Sequence, residues 1–405
     1  MTEPTSPPAT PACPAAAGAA SAPVRPTAAG RARWAAGRGR RRDRQVYLRR
    51  YPLLFTLLAA TRRRPVARLG RTVLVHDAQS YLDALTRIPL DRLAAGTVGG
   101  AARQLGVDGL LFDQEGPAHL RARRALADGL GPAGVARLRP VWTQVLRRRL
   151  APLARGASVD LVPVVAELAG ATTAALLGVC GDPSALAAAA RRVAATAAAE
   201  QLPGPRRPGR AEAARRATSA LADLLDPSSG GGGGAGSASG PGLAGMLAVA
   251  AVNTTVAGVP RAVAWCADDR LWRYAEQTDT REILVDELLR VTAPSPLLPR
   301  VAAGSGELDG CPVRPGDRLL LVARHAAGAH RGGPDCVDPA PTRTARLVFG
   351  AGRHSCPGAR LARAQLADVL AALAPYRPVV VSARADGRAA LPGWARLVIR
   401  AGRCG

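Results

Sequence analysis

The chain has no lysine, few aromatic residues and no paired cysteine motif, and these absences narrow the classes of function that it can have. All 55 basic residues are arginine, and they outnumber 30 acidic residues to give a formal net charge of +25. Strongly basic proteins can bind phosphate backbones, but aromatics make up only 3% of the 405 residues, too few for an evident base-stacking platform. With abundant alanine, glycine and proline, the arginines indicate a GC-rich genome more than a binding patch. Nucleic-acid binding is kept only as an alternative, and no specific nucleic-acid partner is expected.

The cysteines are scattered along the chain without a pairing pattern. Their odd number gives no disulfide framework, and the lack of a CxxC pair gives no sign of a zinc site. This usage favours a reducing cytoplasm. No secretory signal is visible, because the apolar run Leu53–Ala60 is too short to span a bilayer and lies far from the N-terminus. We therefore expect a cytoplasmic protein with no transmembrane segment. The seven cysteines are Cys13, Cys180, Cys266, Cys311, Cys336, Cys356 and Cys404.

Arginines flank that apolar run. A cluster between Arg38 and Arg50 precedes Leu53–Ala60, and a basic segment beside an apolar one is able to touch an anionic membrane. The favoured interpretation is a solvated basic helix that packs its leucines against the domain.

The chain divides into a tail and one large domain. Residues 1–39 are rich in proline, alanine, threonine and glycine without apolar periodicity, which predicts a disordered tail. Residues 40–405 can bury one large core. Within them, residues 228–242 contain five consecutive glycines and predict a flexible loop. Long apolar helical stripes and a few short strands predict a mainly α fold with a minor β-sheet.

One cysteine stands in a glycine-rich turn immediately before a helix. The segment Phe349–Gly358 holds three glycines around Cys356, so the main chain can fold tightly and approach a flat ligand closely. The following helix would place Cys356 near free N–H groups and a positive dipole end, a setting that favours a thiolate. Such a thiolate can be a nucleophile, a redox sensor or a metal ligand, and a buried structural cysteine is the alternative. The helical spacing rests on Ala362, Leu366, Val369, Leu370 and Leu373.

The pattern Phe349-Gly350-x-Gly352-x-His354-x-Cys356-x-Gly358 resembles the haem-ligand loop of the cytochrome P-450 family, and Leu361-Ala362-Arg363 resembles the helix that follows it. The resemblance implies the family's fold, with haem b between a long distal helix and the helix after the loop. It also implies Cys356 as the proximal iron ligand, a thiolate that favours O–O cleavage, and His354 as a further haem-binding residue.

Two further segments extend the resemblance. Glu287 and Arg290 lie three apart on one helical face, where opposite charges pair; taken alone, this is an exposed ion pair of little consequence. Followed by Pro294 and Arg300, the pair resembles the family's structural ExxR helix and its propionate-binding strand arginine. His119 and Arg123 lie four apart within 113–124, which resembles the family's propionate-binding helix; a solvated basic face is the alternative.

The segment Gly245–Trp265 consists of small and apolar residues, as a buried helix does. It resembles the family's distal helix. Thr254 matches its catalytic threonine, but Asn253 replaces the acid beside it. An amide cannot relay a proton by changing charge, which puts oxygen coupling and ordinary hydroxylation in question. Pro260 should end or bend the helix. Cys336 is a second departure, because it cannot complete the family's usual Glu–Arg–Arg cluster.

The resemblance implies a monooxygenase that inserts one oxygen atom of O2 into a small organic substrate, expected in specialised metabolism. Ferredoxin and ferredoxin reductase are the implied electron donors, with an acidic ferredoxin docking near Arg353 and Arg360. Two alternatives stay open. One is an oxidase or oxidative coupling enzyme, which Asn253 favours. The other is a haem-free helper subunit of a glycosyltransferase, against which the retained Cys356 argues.

Overall fold

The structure is a computed structural model that describes residues 37–97, 99–100, 116–201, 209–226 and 241–402. Most of the predicted tail lies outside these residues, as do 228–240 of the predicted loop. The tail prediction is wrong at its end: Arg38 and Gly39 already belong to the first helix, and the Gly39 N–H donates to Asp269 Oδ1 at 3.0 Å. The loop prediction is likewise wrong at Pro241 and Gly242, which begin a helix.

Helices dominate the described residues, so the predicted mainly α fold is confirmed. In chain order the α-helices are α1 Arg38–Arg50, α2 Pro52–Thr61, α3 Ala78–Thr86, α4 Gly116–Leu130, α5 Pro132–Ala154, α6 Leu161–Leu177, α7 Pro183–Gln201, α8 Arg210–Leu225, α9 Pro241–Asp268, α10 Trp272–Glu276, α11 Thr278–Thr292, α12 Ala323–Ala326, α13 Thr342–Ala345 and α14 Ala359–Leu373.

The strands form three small sheets. The strands are β1 Val66–Leu69, β2 Thr72–Val75, β3 Leu90–Asp91, β4 Ser158–Asp160, β5 Leu298–Ala302, β6 Gly306–Leu308, β7 Cys311–Val313, β8 Arg318–Leu321, β9 Val379–Ala385 and β10 Trp394–Arg400. The largest sheet has the order β1-β2-β8-β5-β3, in which only β2 and β8 run parallel. The others have the orders β4-β10-β9 and β6-β7. This arrangement places Arg300 of β5 inside the largest sheet.

The main core forms where α5, α6, α7, α9, α11 and α14 pack together. Val135, Leu138, Trp142 and Val145 form an apolar stripe on α5 that is buried, and Trp142 within it is fully buried. Among the described residues, α9 is the one helix that is long and apolar enough to cross a membrane. It lies at the centre of this packing.

Pro260 was expected to end or bend its helix, and it does not end it, because α9 continues through Pro260 to Asp268. Packing holds the chain on both sides of the proline: Val259 and Ala262 are buried, and the Arg261 side chain is fully buried. Arg261 Nε donates to Asp43 Oδ1 of α1 at 2.7 Å. Tertiary contacts therefore outweigh the helix-breaking tendency of proline.

Candidate active site

The cysteine loop, Phe349–Gly358, is shaped by two glycines in the left-handed region. Gly350 has φ +75° and Gly352 has φ +70°, values that residues with a side chain rarely adopt. A Cβ on Gly352 would also lie 3.2 Å from Thr86 Cγ2 of α3. The Cys356 N–H donates to the Phe349 carbonyl at 2.8 Å and closes the loop. The glycines thus fix the position of Cys356 at the start of α14.

The Cys356 side chain keeps accessible surface although protein atoms surround it on most sides. This burial raises the pKa of the thiol, and it outweighs the lowering by the Gly358 N–H and by the charge of Arg123. The sequence predicted a thiolate because Cys356 lies near free N–H groups and the positive dipole end of a helix. In the protein without a bound cation, however, the surroundings of Cys356 favour the neutral thiol. A cation bound at the sulfur would reverse that balance.

Helix α4 docks on the cysteine loop through two residues one turn apart. The ring of buried His119 lies 4.0 Å, centroid to centroid, from the ring of His354. Arg123 Nη1 donates to the Ser355 carbonyl at 2.7 Å. His119 and Arg123 therefore lie beside Cys356 rather than on a solvated face.

Strand β5 contributes a partly buried guanidinium, that of Arg300. Arg300 Nη1 donates to the carbonyl of its neighbour Pro299 at 2.8 Å, whereas its buried Nε has no hydrogen-bond partner in the part of the chain that the structure describes. Burial lowers the pKa of Arg300, and the charge of Arg92 lowers it further. Arg300 is therefore held in a position that disfavours its own charge.

The same charges act on His354. Burial, followed by the charges of Arg92, His119, Arg300 and Arg123, lowers the pKa of His354 to about 3. Among the described residues no carboxylate contributes to this shift, and none forms an ion pair with Arg300. A partly buried arginine charge without a carboxylate is stabilised when an anion joins it.

These residues fit a haem. A haem carries two propionate carboxylates, which would satisfy the donors around Arg300, and its iron accepts a cysteine sulfur. The cationic side chains and the Cys356 sulfur come from four distant parts of the sequence, which are the segment after β3 that holds Arg92, helix α4, strand β5 and the cysteine loop.

Glu287 and Arg290 hold the segment that leads into the cysteine loop. Arg290 Nε donates to Glu287 Oε1 at 2.8 Å, and Nη2 donates to the Gly333 carbonyl at 2.9 Å. Glu287 also accepts the N–H groups of Asp335 and Ala340 at 2.9 and 3.1 Å. Residues 333–340 are thereby fastened to α11 through their main chain.

No second arginine contacts Glu287 among the described residues, in agreement with the expectation drawn from Cys336. Two backbone N–H groups take its place, and Arg363 and Arg346 pair with the neighbouring Asp286 instead, at 2.6 and 3.5 Å. Burial, followed by the charge of Glu287, raises the pKa of the Cys336 thiol to about 12. The Cys336 side chain is therefore a neutral thiol that packs against the core.

Asn253, the only asparagine in the chain, connects α9 to α7. Its Nδ2 donates to the Val249 carbonyl at 2.7 Å and to the Ala190 carbonyl at 3.3 Å. Both neighbours can only accept, so the amide must present its nitrogen to them. Thr254 Oγ1 donates to the Ala250 carbonyl at 2.8 Å.

A second link between α7 and the rest of the fold lies next to the first, and sequence reasoning missed it. Arg191 Nη2 approaches Asp386 Oδ2 at 3.4 Å, and Arg191, Asn253 and Trp394 line one crevice. The two partners are 195 residues apart, and no local pattern signals such a pair.

Comparison with known proteins agrees with this geometry. No protein-family model matches the chain. The chain is 30% identical over 171 residues to putative cytochrome P450 140 of Mycobacterium tuberculosis, covering 40% of this chain and 38% of that protein. It is 27% identical over 302 residues to cytochrome P450 165B3 of Amycolatopsis orientalis, covering 68% and 72%. The chain belongs to the cytochrome P450 family.

Solved P450 structures share the fold. CalO2 superposes with a TM-score of 0.67 at 23% identity, covering 88% of this chain and 98% of that one. P450BioI in complex with a fatty acid on acyl carrier protein superposes with a TM-score of 0.70 at 18% identity, covering 87% and 99%. The first curated relatives match over only 38% of their own length, so the family establishes haem as the implied cofactor of this P450, while its activity and partners are matters of proposal.

Proposed function

We propose that this P450 is a haem-thiolate monooxygenase that inserts one oxygen atom of O2 into a small organic substrate of specialised metabolism. One observation carries the proposal: Arg300, His354, His119 and Arg123 gather around Cys356, and no carboxylate among the described residues forms an ion pair with Arg300. A glycosyltransferase helper without haem would gain nothing from such a group.

Each residue has a distinct part in holding the cofactor. His119, Arg123, Arg300 and His354 would bind the propionates, and Cys356 Sγ would bind the iron. Glu287 and Arg290 would keep residues 333–340, and through them the cysteine loop, in place. When bound, the haem supplies the activation of dioxygen.

The distal residues handle protons without a neighbouring acid. Thr254 donates its hydrogen to Ala250, so its oxygen is left to accept from water and to orient it. Asn253 uses its nitrogen on two carbonyls and takes no part in proton transfer. Water held by Thr254 would have to deliver protons alone.

The missing acid beside Thr254 raises a second candidate function. An oxidase or oxidative coupling enzyme would remove two electrons and two protons from its substrate, while O2, with two electrons from the redox partner and two protons from solvent, would become two waters, so no oxygen would enter the product. The amide at 253, engaged by Val249 and Ala190, is the observation that favours it.

Electrons would arrive at the side of the cysteine loop. Arg353 and Arg360 are exposed there, and an acidic ferredoxin, reduced by its reductase, fits this charge. Reduction should slow as salt rises; a rate that is indifferent to salt would contradict this docking site.

Labelled dioxygen separates the candidates. Substrates are found by their shift of the haem absorption band across a compound library, and are then turned over with ferredoxin, its reductase and ¹⁸O2. One labelled atom in the product supports the monooxygenase, a dehydrogenated or coupled product without label supports the second function, and a chain that binds no haem refutes both.

A further inference from the structure

Helix α2 presents an apolar face to solvent, contrary to the interpretation favoured from its sequence. Only Leu58 of this helix is buried; it packs with Ala67, Leu74 and Val322 beneath it. Leu53 is 87% exposed and Leu57 is 43% exposed. Pro52, Thr56 and Ala60 are exposed as well, and with the two leucines they recur at helical spacing along one face. The leucines therefore do not all pack on the domain.

Arginines stand at both ends of this face. Arg44 and Arg49 precede it on α1, Arg62–Arg64 follow it directly, and all five are exposed. The one acidic residue between 38 and 64 is Asp43, which is buried and paired with Arg261 and Arg324. No acid within this segment therefore offsets the exposed charges.

We propose that the face of α2, flanked by these arginines, docks on an anionic lipid surface. At about 1.5 Å per residue, ten residues are too short to cross a bilayer, so α2 would lie in the headgroup region with Leu53 and Leu57 pointing into it. Basic residues beside an apolar helix face are what anionic membranes attract.

Charge argues against the other occupants. Residues 1–36 carry three arginines and one glutamate, so the preceding segment has the same sign as the patch. A second copy of the chain would bring another +25. An acidic protein has the right sign, but protein interfaces seat their apolar anchors in pockets, whereas Leu53 projects almost wholly into solvent, as insertion into lipid requires.

Sedimentation with lipid vesicles tests the proposal on the full chain, independently of haem and of turnover. Vesicles of phosphatidylglycerol and phosphatidylcholine are compared with vesicles of phosphatidylcholine alone. We expect retention only on the anionic vesicles. Each arginine near such a surface contributes a factor of about five, so Arg62→Gln with Arg63→Gln and Arg64→Gln should weaken binding about a hundredfold.

A matched triple variant controls for net charge. Arg147, Arg148 and Arg149 form a second exposed run of three arginines, on α5, and their replacement by Gln removes the same charge. We expect this control to bind nearly as well as the wild type. Equal losses in the two triple variants would show that binding is unspecific attraction to a basic protein, and would overturn the proposal.

The leucines are tested separately. Leu53→Ser with Leu57→Ser should weaken binding at least tenfold, whereas Val381→Ser, at a residue 53% exposed on β9, should not. Leu53→Trp should shift its emission to the blue only when anionic vesicles are added. A blue shift without vesicles would identify the N-terminal segment as the occupant, and a dimer lost on Leu53→Ser would identify a second copy. Retention by an acidic protein but not by vesicles would also refute the lipid proposal.

Discussion

Replacing Asn253 by Asp restores the acid that the family usually has at this position, and the structure predicts that it damages this protein. Asn253 donates to the carbonyls of Val249 and Ala190 at 2.7 and 3.3 Å. An ionised aspartate has no hydrogen to donate, so its oxygens would face two carbonyl oxygens at these distances.

The aspartate side chain can avoid this repulsion in two ways, and the two cost different amounts of free energy. It can stay protonated, which costs about 1.4 kcal/mol for each pH unit above an unfolded pKa of about 3.9, or about 4 kcal/mol at pH 7. It can also turn away, which forfeits two hydrogen bonds worth about 1 kcal/mol each. The smaller loss should prevail, so we expect Asn253→Asp to lower the free energy of unfolding by about 2 kcal/mol at pH 7.

The part of the loss that comes from the Ala190 bond should be local to α7, because the Ala190 carbonyl belongs to that helix. Hydrogen exchange of the amides in Pro183–Gln201 should become faster by a factor of about 5, the equivalent of about 1 kcal/mol. Asn253→Ala forfeits the same two bonds and should behave alike. Arg191→Ala, which removes the pair with Asp386, should also speed exchange in α7.

Exposed Arg192 supplies the matched control, since Arg192→Ala removes the same side chain one position along α7. It should leave exchange unchanged. If Asn253→Asp keeps wild-type stability and wild-type exchange in α7, the amide does not hold the helix, and the reasoning from these two hydrogen bonds is refuted.

The remaining predictions concern buried charges. Asp43→Ala should lower the free energy of unfolding by about 3–5 kcal/mol in denaturant titrations, because it leaves fully buried Arg261 without its carboxylate; a loss below about 1 kcal/mol would contradict this. Glu287→Ala should destabilise by a similar amount and reduce the haem content of the purified protein, since it frees Arg290 and residues 333–340 together; full haem content would show that this fastening is dispensable. Arg300→Met should raise the melting temperature of haem-free protein yet weaken haem retention, because the guanidinium is unbalanced only while the propionates are absent; effects of the same sign would argue against propionate binding. Burial lowers the pKa of buried His325 to about 2, so proton binding favours the unfolded chain. The stability lent by neutral His325 is complete above pH 6.5 and is lost on acidification; after allowance for solvent screening, His325→Leu should spare roughly 1 kcal/mol of that loss at pH 5. Parallel pH profiles for the two proteins would refute this.

Local patterns predicted the parts of the fold that local chemistry decides. Helical spacing after Cys356 predicted α14. The position of Cys356 in a glycine-pinned turn followed from Gly350 and Gly352, because only glycine readily adopts their backbone angles.

Contacts between distant residues were out of reach. Pro260 predicted an end or a bend in its helix, but the helix continues and is held by Asp43 on α1, more than two hundred residues earlier. Leu53 and Leu57 predicted packing, but the sheet beneath α2 receives Leu58 alone as a fully buried side chain of that helix. The amide of Asn253 indicated a missing acid, whereas its bond to Ala190 depends on where α7 crosses α9.

The most direct test of the account is the absorption spectrum of the reduced carbon monoxide complex, recorded for the wild type and for Cys356→Ala. The wild type should show a thiolate-type band and the variant should lose it completely, with Cys336 and the other cysteines unable to replace the ligand. A thiolate-type band that survives in Cys356→Ala, or a wild-type protein that stays colourless when expressed with ample haem, would contradict it.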